Sequence, residues 1–351
     1  MVKKVLITGI TGQSGSHMAD LLLEKGYEVH GLVRRSSTNN KERITHILDK
    51  ITLHEGDVTD ATSIYSLLAK IMPDEVYNFA SQSHVAVSFK EPYSTFQSVA
   101  MGCLNFLEAI RLIKPDTKYF YAGSSESFGS IVDPDGFQRI TTPMVANSPY
   151  AIGKIAAFNM VKLYRESYGM FAASAICFNK EGPRRGETFV TRKITKYVGE
   201  LVYELLRARV FGSYQSIEDL IAHNQERYDE VISKHPKLKL GNITASRDWS
   251  YSKDCCEGFW LQLQAEKPKD YVFSSMETHT VEDFLAAAFG SRGLDWKQWV
   301  EIDPQFYRPS EVQYLKGDST PARTELGWKP KVSFEELVKM MVDADVKKAS
   351  K

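Results

Sequence analysis

Several features that mark other protein classes are scarce in this sequence of 351 residues. Its four cysteines, Cys103, Cys177, Cys255 and Cys256, lack the paired spacing of a metal site, and the adjacent pair would bridge only with strain. We therefore expect no metal site, and reduced thiols in the cytoplasm. Lys plus Arg equals Asp plus Glu, at 44 each, so no overall positive field holds the chain on nucleic acid or an anionic membrane.

Long apolar runs are also lacking. The first apolar run ends at Gly9 and is too short for a signal sequence. No later stretch approaches the roughly 18 to 20 apolar residues of a membrane span. We therefore expect no membrane association, and any anionic ligand must be bound by local arginines.

What the chain does contain is an alternation of strand-like and helix-like segments. Short β-branched runs occur at residues 4–8, 28–33, 51–54, 75–79, 118–122 and 171–178, with helical patterns between them. This alternation predicts an α/β fold with a Rossmann-type, doubly wound parallel sheet. After Phe178 the alternation stops, and a basic Gly-rich segment and a helix at about 191–207 follow. They predict a smaller, mixed substrate-binding lobe.

The predicted domain boundaries follow this change of pattern. Residues 1–180 and 241–265 are assigned to the sheet domain, and residues 181–240 and 266–351 to the second domain. Residues 213–237 are rich in charge but carry apolar residues at helical spacing, which predicts a helical insertion. We expect a flap on the substrate lobe or an added subunit contact.

The segment between the first strand and the first helix is rich in glycine. A dinucleotide pyrophosphate binds at this place, because backbone N–H groups and the positive helix end meet there. Glycine is needed where a side chain would block the turn or the phosphates. The alternative is a plain tight turn. The predicted phosphate-binding residues are Gly9, Thr11, Gly12, Gln13, Ser14 and Gly15.

The end of the second strand indicates which dinucleotide binds. An NAD enzyme places a carboxylate there, but this chain has Arg34, Arg35 and Ser36. Guanidiniums bind phosphate oxygens by paired hydrogen bonds, so NADP with its 2′-phosphate is predicted. The alternative is a solvated basic loop. Asp57 and Val58 are placed to hold the adenine, although an Asp at a strand end is also common turn chemistry.

A Ser-Pro-Tyr sequence marks the start of another helix. Ser148 is predicted as its N-cap, which places Tyr150 and Lys154 one turn apart on one face. A nearby ammonium and the helix N-terminus favour the phenolate, so Tyr150 is a candidate proton acceptor. A Tyr-x-x-x-Lys pair also occurs by chance on amphipathic helices. Its interpretation as a catalytic pair depends here on the glycine-rich segment that precedes it in the chain.

The end of the fifth strand adds two groups. Ser124 can hydrogen-bond a sugar hydroxyl beside Tyr150 and complete a Ser-Tyr-Lys group for hydride transfer. Glu126 is an extra carboxylate that simple oxidation does not need. Removing water after oxidation needs a base for the proton next to the new ketone, which is the predicted role of Glu126. The alternative is a solvated carboxylate.

Taken together, these motifs resemble the GDP-mannose 4,6-dehydratases of the extended short-chain dehydrogenase/reductase family. The resemblance covers nearly the whole chain outside the insertion. It includes the glycine-rich segment, Arg34-Arg35-Ser36-Ser37, Gln82-Ser83-His84-Val85, Ser124-Ser125-Glu126, Ser148-Pro149-Tyr150 with Lys154, Pro183-Arg184-Arg185-Gly186, the 189–194 segment Phe-Val-Thr-Arg-Lys-Ile, Arg247-Asp248-Trp249, and Tyr307-Arg308-Pro309-Ser310-Glu311.

The resemblance implies an internal redox cycle that yields a 4-keto-6-deoxy sugar nucleotide. NADP takes hydride from sugar C4, Glu126 removes the C5 proton as water leaves C6, and the hydride returns to C6. It further implies that Ala80 and Gln82 bind the cofactor. The implied residues for a GDP-linked sugar are Ser83, Ser88, Asn179, Arg185, Val190, Lys193, Arg247, Arg308 and Glu311.

The resemblance also implies a homo-dimer or homo-tetramer, because the family's loop at residues 35–43 reaches a neighbouring subunit's cofactor. The chain departs from the family at Gly123, Ser127, Phe128 and the 179–182 segment, where Lys180 replaces histidine. These positions leave the sugar open, so a GDP-heptose or another hexose could replace GDP-mannose.

Two other functions remain open at this point. A nucleotide-sugar C4-epimerase or decarboxylase shares the Ser-Tyr-Lys group and in some cases a Ser-Glu pair, and product analysis would separate it from a dehydratase. A catalytically silent NADP-binding regulatory protein would have lost its Tyr or Lys, whereas both Tyr150 and Lys154 are present here.

Overall fold

The computed structural model describes residues 2–37, 40–206, 214–307 and 309–351. The described chain divides into two compact units. Unit 1 comprises Met1–Lys180, Asp248–Glu277 and Tyr314–Lys331, and unit 2 comprises Glu181–Arg247, Thr278–Gln313 and Val332–Lys351.

The strands are short and follow the predicted positions in the first half of the chain. They are β1 Lys4–Thr8, β2 Glu28–Val33, β3 Thr52–Glu55, β4 Glu75–Asn78, β5 Lys118–Ala122, β6 Ala172–Cys177, β7 Asn179–Glu181, β8 Leu238–Leu240, β9 Ser246–Arg247, β10 Trp249–Tyr251, β11 Tyr271–Phe273, β12 His279–Thr280 and β13 Val300–Ile302.

The α-helices lie between these strands and after them. They are α1 Gln13–Glu24, α2 Ala61–Ile71, α3 Val85–Lys90, α4 Pro92–Phe96, α5 Gly102–Ile113, α6 Pro149–Tyr168, α7 Val190–Leu206, α8 Ile217–His223, α9 Gln225–Lys234, α10 Ser252–Gln264, α11 Val281–Gly290, α12 Thr320–Leu326 and α13 Phe334–Ala349. A π-helical turn at Gln97–Met101 joins α4 to α5.

Unit 1 is built on a parallel sheet of seven strands in the order β11-β6-β5-β4-β1-β2-β3. The order reverses direction at β1, which is the mark of a doubly wound sheet. Helices α1 and α10 pack on one face, and α2, α5 and α6 pack on the other. The predicted fold class is therefore confirmed, and the carboxyl ends of the strands share one edge.

One helical stretch in unit 1 departs from our expectation about apolar runs. Pro92–Ile113 is long and apolar enough, by length and composition, to cross a membrane, and it is the one such stretch in the part of the chain that the structure describes. Buried side chains make up 44% of its most apolar window. Val99, Cys103 and Phe106 are fully or almost fully buried in unit 1, and a core helix satisfies the same test.

The boundary of unit 1 also differs from the predicted one. The return of the chain begins at Asp248 rather than at residue 241, and it continues to Glu277. The reason is β11, a strand that sequence reasoning missed because it is only three residues long; it pairs with β6 at the edge of the sheet. Helix α12 then packs against β11, which brings Tyr314–Lys331 into unit 1.

Unit 2 is organised around α7. Helices α11 and α13 pack against α7, and the small strand pairs β9 with β12 and β8 with β13 complete the unit. Gly199 lets α13 approach closely, since an added Cβ would lie 2.7 Å from the carbonyl carbon of Asp345. The structure begins α7 at Val190 and describes it to Leu206, so the predicted end at Arg207 lies outside the described residues.

The predicted insertion contains two helices, α8 and α9, and its first residue, Ser213, lies outside the described residues. Ile217, Leu220, Tyr228 and Val231 turn inward and are buried. The Tyr228 hydroxyl donates a 3.0 Å hydrogen bond to Gln298, and α8 packs on α7. The insertion thus consists of two helices that pack against α7 of unit 2. Its expected role as a flap or a subunit contact stays a prediction.

Candidate active site

The glycine-rich turn after β1 is closed by contacts that exclude side chains. Gly9 has a φ of +63°, and a Cβ on Gly15 would lie 2.2 Å from the carbonyl oxygen of Gly9. The backbone N–H of Gly12 donates to that same oxygen at 2.9 Å, and α1 begins one residue later. The N-terminus of α1 therefore lies at the carboxyl edge of the sheet, where an anionic ligand is stabilised.

Two side chains and one carbonyl oxygen of this turn contact residues that are distant in the sequence. Ser14 Oγ lies 3.2 Å from Ser252 Oγ, and Gln13 Nε2 donates to the carbonyl oxygen of Lys180 at 2.9 Å. Arg43 Nη1 donates to the carbonyl oxygen of Thr11 at 3.3 Å. Sequence reasoning missed Lys180 and Arg43 as neighbours of this turn, because contacts so distant in sequence leave no local signal.

A cavity of about 540 Å³ lies where β2 and β3 end. The predicted residues Arg34, Arg35, Ser36 and Asp57 line it, together with Asn40, Glu55 and Gly56. The two guanidiniums and the hydroxyl are exposed donors for a phosphate. Glu55 is an acidic member of this lining that sequence reasoning did not anticipate.

The other predicted cofactor residues take part in local structure. Asp57 Oδ1 accepts hydrogen bonds from the N–H and the hydroxyl of Thr59, which is the turn chemistry considered above. The Val58 side chain belongs to the core, and the Ala80 N–H donates to Thr8 Oγ1 at 3.0 Å. Gln82 Nε2 donates to the carbonyl oxygen of His84 and so fixes the start of α3.

The end of β5 leads into a short 3₁₀ turn, Ser125–Phe128, that carries the candidate base. Ser124 caps this turn, its hydroxyl oxygen accepting from the Glu126 N–H at 3.3 Å. Ser124 is 9% exposed and Glu126 is half-buried, whereas the following Ser127 and Phe128 are fully buried. The strand thus presents Ser124 and Glu126 at the carboxyl edge.

Helix α6 begins as predicted, with the Ser148 hydroxyl accepting from the Ala151 N–H at 3.1 Å. Tyr150 and Lys154 then lie on one face, with Lys154 Nζ 5.6 Å from the centre of the Tyr150 ring. Lys154 Nζ also donates a 2.6 Å hydrogen bond to the carbonyl oxygen of Ala122, the last residue of β5. This bond joins the helix that carries Tyr150 to the strand that carries Ser124.

The Lys154 ammonium has an unusual environment. Burial, and to a lesser extent the positive charge of Lys180, lower its pKa to about 7. The amine therefore gains or loses its charge near neutral pH. Lys180 occupies the position where the resemblance expects histidine, so this chain has a second cation beside the Tyr-Lys pair.

Two other departures from the family pattern are explained by packing. An added Cβ at Gly123 would lie 2.9 Å from the carbonyl oxygen of Ala175 on β6, so a serine would need the neighbouring strand to move. The Phe128 ring is fully buried with its centre 6.2 Å from that of Phe178.

The predicted sugar-binding residues of unit 1 differ in their surroundings. Ser83 is exposed and Asn179 is half-buried, and the backbone N–H of Asn179 donates to the Asp248 carbonyl oxygen. Ser88 is fully buried, and its hydroxyl donates to the Val85 carbonyl at 2.6 Å within α3. The geometry of Ser88 is that of a helix residue satisfied by its own backbone.

The Asp248 carboxylate organises the return of the chain into unit 1. It accepts hydrogen bonds from Ser275, Met276 and Gly317, although burial raises its pKa to about 7. Within the Arg-Asp-Trp motif, the Asp is therefore a structural residue.

In unit 2, three predicted residues surround the start of α7. The Arg185 guanidinium stacks 3.5 Å from the centre of the Phe189 ring, and Val190 is the first residue of the helix. Lys193 Nζ lies 5.3 Å from the centre of the Phe306 ring. Both cations are half-buried beside an aromatic ring.

Arg247 and Glu311, predicted to contact a diphosphate and a ribose, bind each other. Arg247 Nη2 donates to Glu311 Oε1 at 2.7 Å, and Arg247 is 6% exposed. Arg308, the remaining predicted phosphate ligand, lies outside the described residues.

No group of three or more His, Cys, Asp or Glu side chains in the described ranges is arranged to hold a metal ion. The arginines and lysines described above are donors whose chemistry suits phosphate.

The chain matches the family model described as GDP-mannose 4,6 dehydratase over residues 6–224 and 228–341. GDP-mannose 4,6 dehydratase 1 of Arabidopsis thaliana is 49% identical to it over 99% of this chain and 91% of the relative. The GDP-mannose 4,6 dehydratase of Drosophila melanogaster is 40% identical over 98% of this chain and 86% of the relative.

Solved structures share the fold at lower identity. A UDP-glucose 4-epimerase from Thermotoga maritima aligns with a TM-score of 0.80 and 22% identity, covering 98% of this chain and 99% of that one. The dTDP-glucose 4,6-dehydratase of Bacillus anthracis, solved with NAD, aligns with a TM-score of 0.79 and 18% identity over 99% and 98%. These likenesses bear on the fold.

The family match and the relatives extend over both units, and they confirm the resemblance and the lyase class predicted from the motifs. The chain belongs to the GDP-mannose 4,6-dehydratase family.

Proposed function

We propose that this protein uses NADP to convert GDP-mannose into the GDP-linked 4-keto-6-deoxy sugar. The family and the relatives' names support the substrate and the loss of water. The observation that carries the chemistry is the junction of β5 and α6, where Ser124, Glu126, Tyr150 and Lys154 belong to two elements joined by the Lys154–Ala122 hydrogen bond. An epimerase shares three of these groups, and Glu126 is the group that dehydration adds.

The residues of unit 1 fit a dinucleotide. Gly9, Gly12 and Gly15 leave the N-terminus of α1 clear of side chains, and the cavity lined by Arg34 and Arg35 could accept a ribose phosphate. NADP would supply the hydride acceptor, which no side chain of this chain can provide. Exposed arginines in place of a carboxylate support NADP over NAD.

The first half of the reaction needs a base for the C4 hydroxyl. Tyr150 is proposed to take that proton, and Lys154 lowers the energy of the phenolate by its charge. Ser124 is proposed to donate a hydrogen bond to the reacting oxygen. Because Ser124 and Tyr150 are almost fully buried, water has little access to them.

The second half needs a different base. Oxidation at C4 makes the C5 proton acidic, and Glu126 is proposed to remove it and to pass it to the hydroxide that departs from C6, so that water leaves. Glu126 is half-buried in the 3₁₀ turn, a position that suits a group that exchanges protons with its substrate. The bound cofactor would return its hydride to C6, and C5 would regain a proton from solvent, so the cycle has no net oxidation.

Unit 2 is proposed to bind the GDP group. Arg185, Lys193 and Arg247 are cations at the beginning of α7 and on β9, and Arg308 is added by the resemblance. Charge-assisted hydrogen bonds from several such donors suit a diphosphate. The domain roles predicted from sequence, cofactor binding in unit 1 and sugar-nucleotide binding in unit 2, are retained in this proposal.

The proposed assembly is a homo-dimer or homo-tetramer. On the outer face of α6, Ile152 and Leu163 are 53% and 55% exposed, and Leu112 of α5 is 57% exposed. Ile152 and Leu163 are eleven residues apart, which places them on one side of the helix. A second apolar side of a core helix is typical of a subunit interface.

The proposed place of action is the cytoplasm. All four cysteines are free and buried, as expected for a protein that acts in a reducing compartment.

The role of Glu126 is tested by Glu126→Gln. The amide keeps the size of the side chain but cannot accept a proton, so formation of the 6-deoxy product should fall by roughly 100- to 10,000-fold. The first hydride transfer should survive. Stopped-flow absorbance should therefore show a burst of bound NADPH without product, and product is measured by mass spectrometry.

Tyr150→Phe is the matched control, because it removes the base for the first half and should abolish the burst as well. If Glu126→Gln formed product at the rate of the unmodified protein, Glu126 would be a solvated carboxylate, and the argument for dehydration from this site would fail.

Cofactor preference is tested by Arg35→Glu. The carboxylate would repel a 2′-phosphate and accept hydrogen bonds from a ribose, so the preference for NADP over NAD should fall by at least about 10-fold, in keeping with 1.5 to 3 kcal/mol for a charged hydrogen bond. Calorimetry with each cofactor measures it. Lys70→Glu, the same charge change at an exposed site on α2, should leave the preference unchanged.

Equal affinity of the unmodified protein for NAD and NADP would contradict the proposed cofactor preference.

The proposed interface is tested by Leu163→Glu. A charge at the centre of an apolar contact costs several kcal/mol, so light scattering should show a lower molar mass for the variant at micromolar concentration. Val132→Glu introduces the same charge at a side chain outside α6 that is 40% exposed, and it should leave the mass unchanged. An unmodified protein that is monomeric throughout would refute the assembly.

A further inference from the structure

We propose that Arg192 and Asp345 are positioning residues for the nucleotide diphosphate and that they act through Arg185. Neither belongs to the residues expected to touch the substrate. The inference rests on the proposed function for the identity of the ligand, a guanosine diphosphate group. All the residues involved lie in unit 2.

The two residues form a buried ion pair between α7 and α13. Arg192 Nη2 lies 2.6 Å from Asp345 Oδ1, and Nε lies 2.8 Å from Oδ2. Thr195 adds a 2.7 Å hydrogen bond to Oδ2. Arg192 is 5% exposed and Asp345 is 3% exposed, so the pair is fixed in one geometry with little access for water.

The remaining guanidinium nitrogen reaches outside the helix pair. Arg192 Nη1 donates two hydrogen bonds of 2.8 Å, one to the carbonyl oxygen of Pro183 and one to that of Arg185. Asp345 thus orients the Arg192 guanidinium, which binds the backbone carbonyl groups on both sides of Arg184. A lysine could not do the same, because a single ammonium lacks the planar fork.

Within the segment held in this way, residues 182–186, the Arg185 N–H donates to the Gly182 carbonyl at 2.9 Å, and Gly182 has a φ of +146°. A position with this φ is open to glycine and strained for other residues. The carbonyl bonds from Arg192 therefore set the direction in which the Arg185 side chain leaves the backbone.

The Arg185 side chain is arranged to bind an anion. One face of the guanidinium stacks on Phe189, and Nε forms a 3.3 Å ion pair with Glu181 Oε2 that lacks hydrogen-bond geometry. Thr191 donates a 2.6 Å hydrogen bond to that same carboxylate oxygen. A stacked, half-buried guanidinium with little hydrogen bonding of its own matches phosphate geometry well.

Unit 1 offers a matched pair with no such role. Arg165 Nη1 and Nη2 bind Asp270 Oδ1 and Oδ2 at 2.8 and 2.6 Å, and Nη1 also donates to the Ala172 carbonyl. This pair fixes the edge of the sheet. Asp270→Asn therefore reproduces the loss of a paired carboxylate without touching the 182–186 segment.

The experiment measures GDP binding to the full chain by calorimetry. Asp345→Asn should weaken GDP binding by about 10-fold or more, the loss expected for a misplaced charged hydrogen bond, and should leave NADP binding unchanged. Asp270→Asn should destabilise the protein in thermal unfolding but keep its affinity for GDP. In turnover, Asp345→Asn should raise KM for GDP-mannose much more than it lowers kcat.

A double-mutant cycle tests whether the pair acts through Arg185. Arg185→Met alone should weaken GDP binding by a similar factor, and adding Asp345→Asn to it should cause little further loss. Arg192→Lys keeps the charge but should behave like Asp345→Asn, and it serves as the variant of choice if Asp345→Asn does not fold. Additive losses would overturn the proposal.

The outcomes separate this inference from the proposed function. If GDP binds the unmodified protein, and Asp345→Asn and Arg192→Lys bind it equally well, the positioning role is wrong and the proposed function stands. If GDP does not bind the unmodified protein under saturating conditions, the substrate assignment fails and the inference fails with it.

Discussion

The candidate chemistry of unit 1 depends on one constraint, the parallel pairing of β1, β4, β5 and β6. Because these strands run in the same direction, the residues that follow them meet at one edge of the sheet. Gly9, after β1, lies close to Ala80, after β4: a Cβ added to Gly9 would be only 3.1 Å from the Ala80 backbone nitrogen. Ser124 and Asn179 follow β5 and β6. A break between β1 and β4, or between β4 and β5, would separate the glycine-rich turn from Ser124.

The burial of Lys154 in this arrangement lowers the stability of the folded protein. The lysine is buried beneath Tyr150, and burial lowers its pKa from 10.5 to about 7. Between pH 7 and pH 10.5, Lys154 is protonated in the unfolded chain but not in the folded chain. The contribution of Lys154 to the free energy of unfolding therefore increases as the pH rises through this range, and it is least favourable below about pH 7. An apolar residue would avoid this penalty. The buried amine beside the phenol therefore destabilises the folded protein, and perturbed pKa values of this kind are common at functional sites.

Much of the fold and the local motifs could be read from the sequence, because short-range chemistry determines them. The glycine turn, the Ser148 cap and the strands β1, β2 and β5 follow from residues that are neighbours in the chain. Contacts across long separations could not be predicted. Two of these contacts join residues at least 32 positions apart, Arg43 with Thr11 and Arg192 with Asp345. Strand β11 was missed because its three residues are too few to show a pattern. Sequence resemblance also assigned Ser88 to the sugar, whereas packing leaves its hydroxyl bonded within α3.

In the proposed cycle, one hydride leaves sugar C4 and returns to C6 of the same molecule, at a site that contains Ser124, Glu126, Tyr150 and Lys154. This transfer is tested with GDP-mannose that carries deuterium at C4 and is converted by the purified protein with bound NADP in ordinary water. The product should be a 4-keto-6-deoxy sugar that carries the deuterium at C6, as measured by mass spectrometry and NMR. Recovery of the deuterium at C4 of an epimerised sugar, or its accumulation in free NADPH, would contradict this transfer.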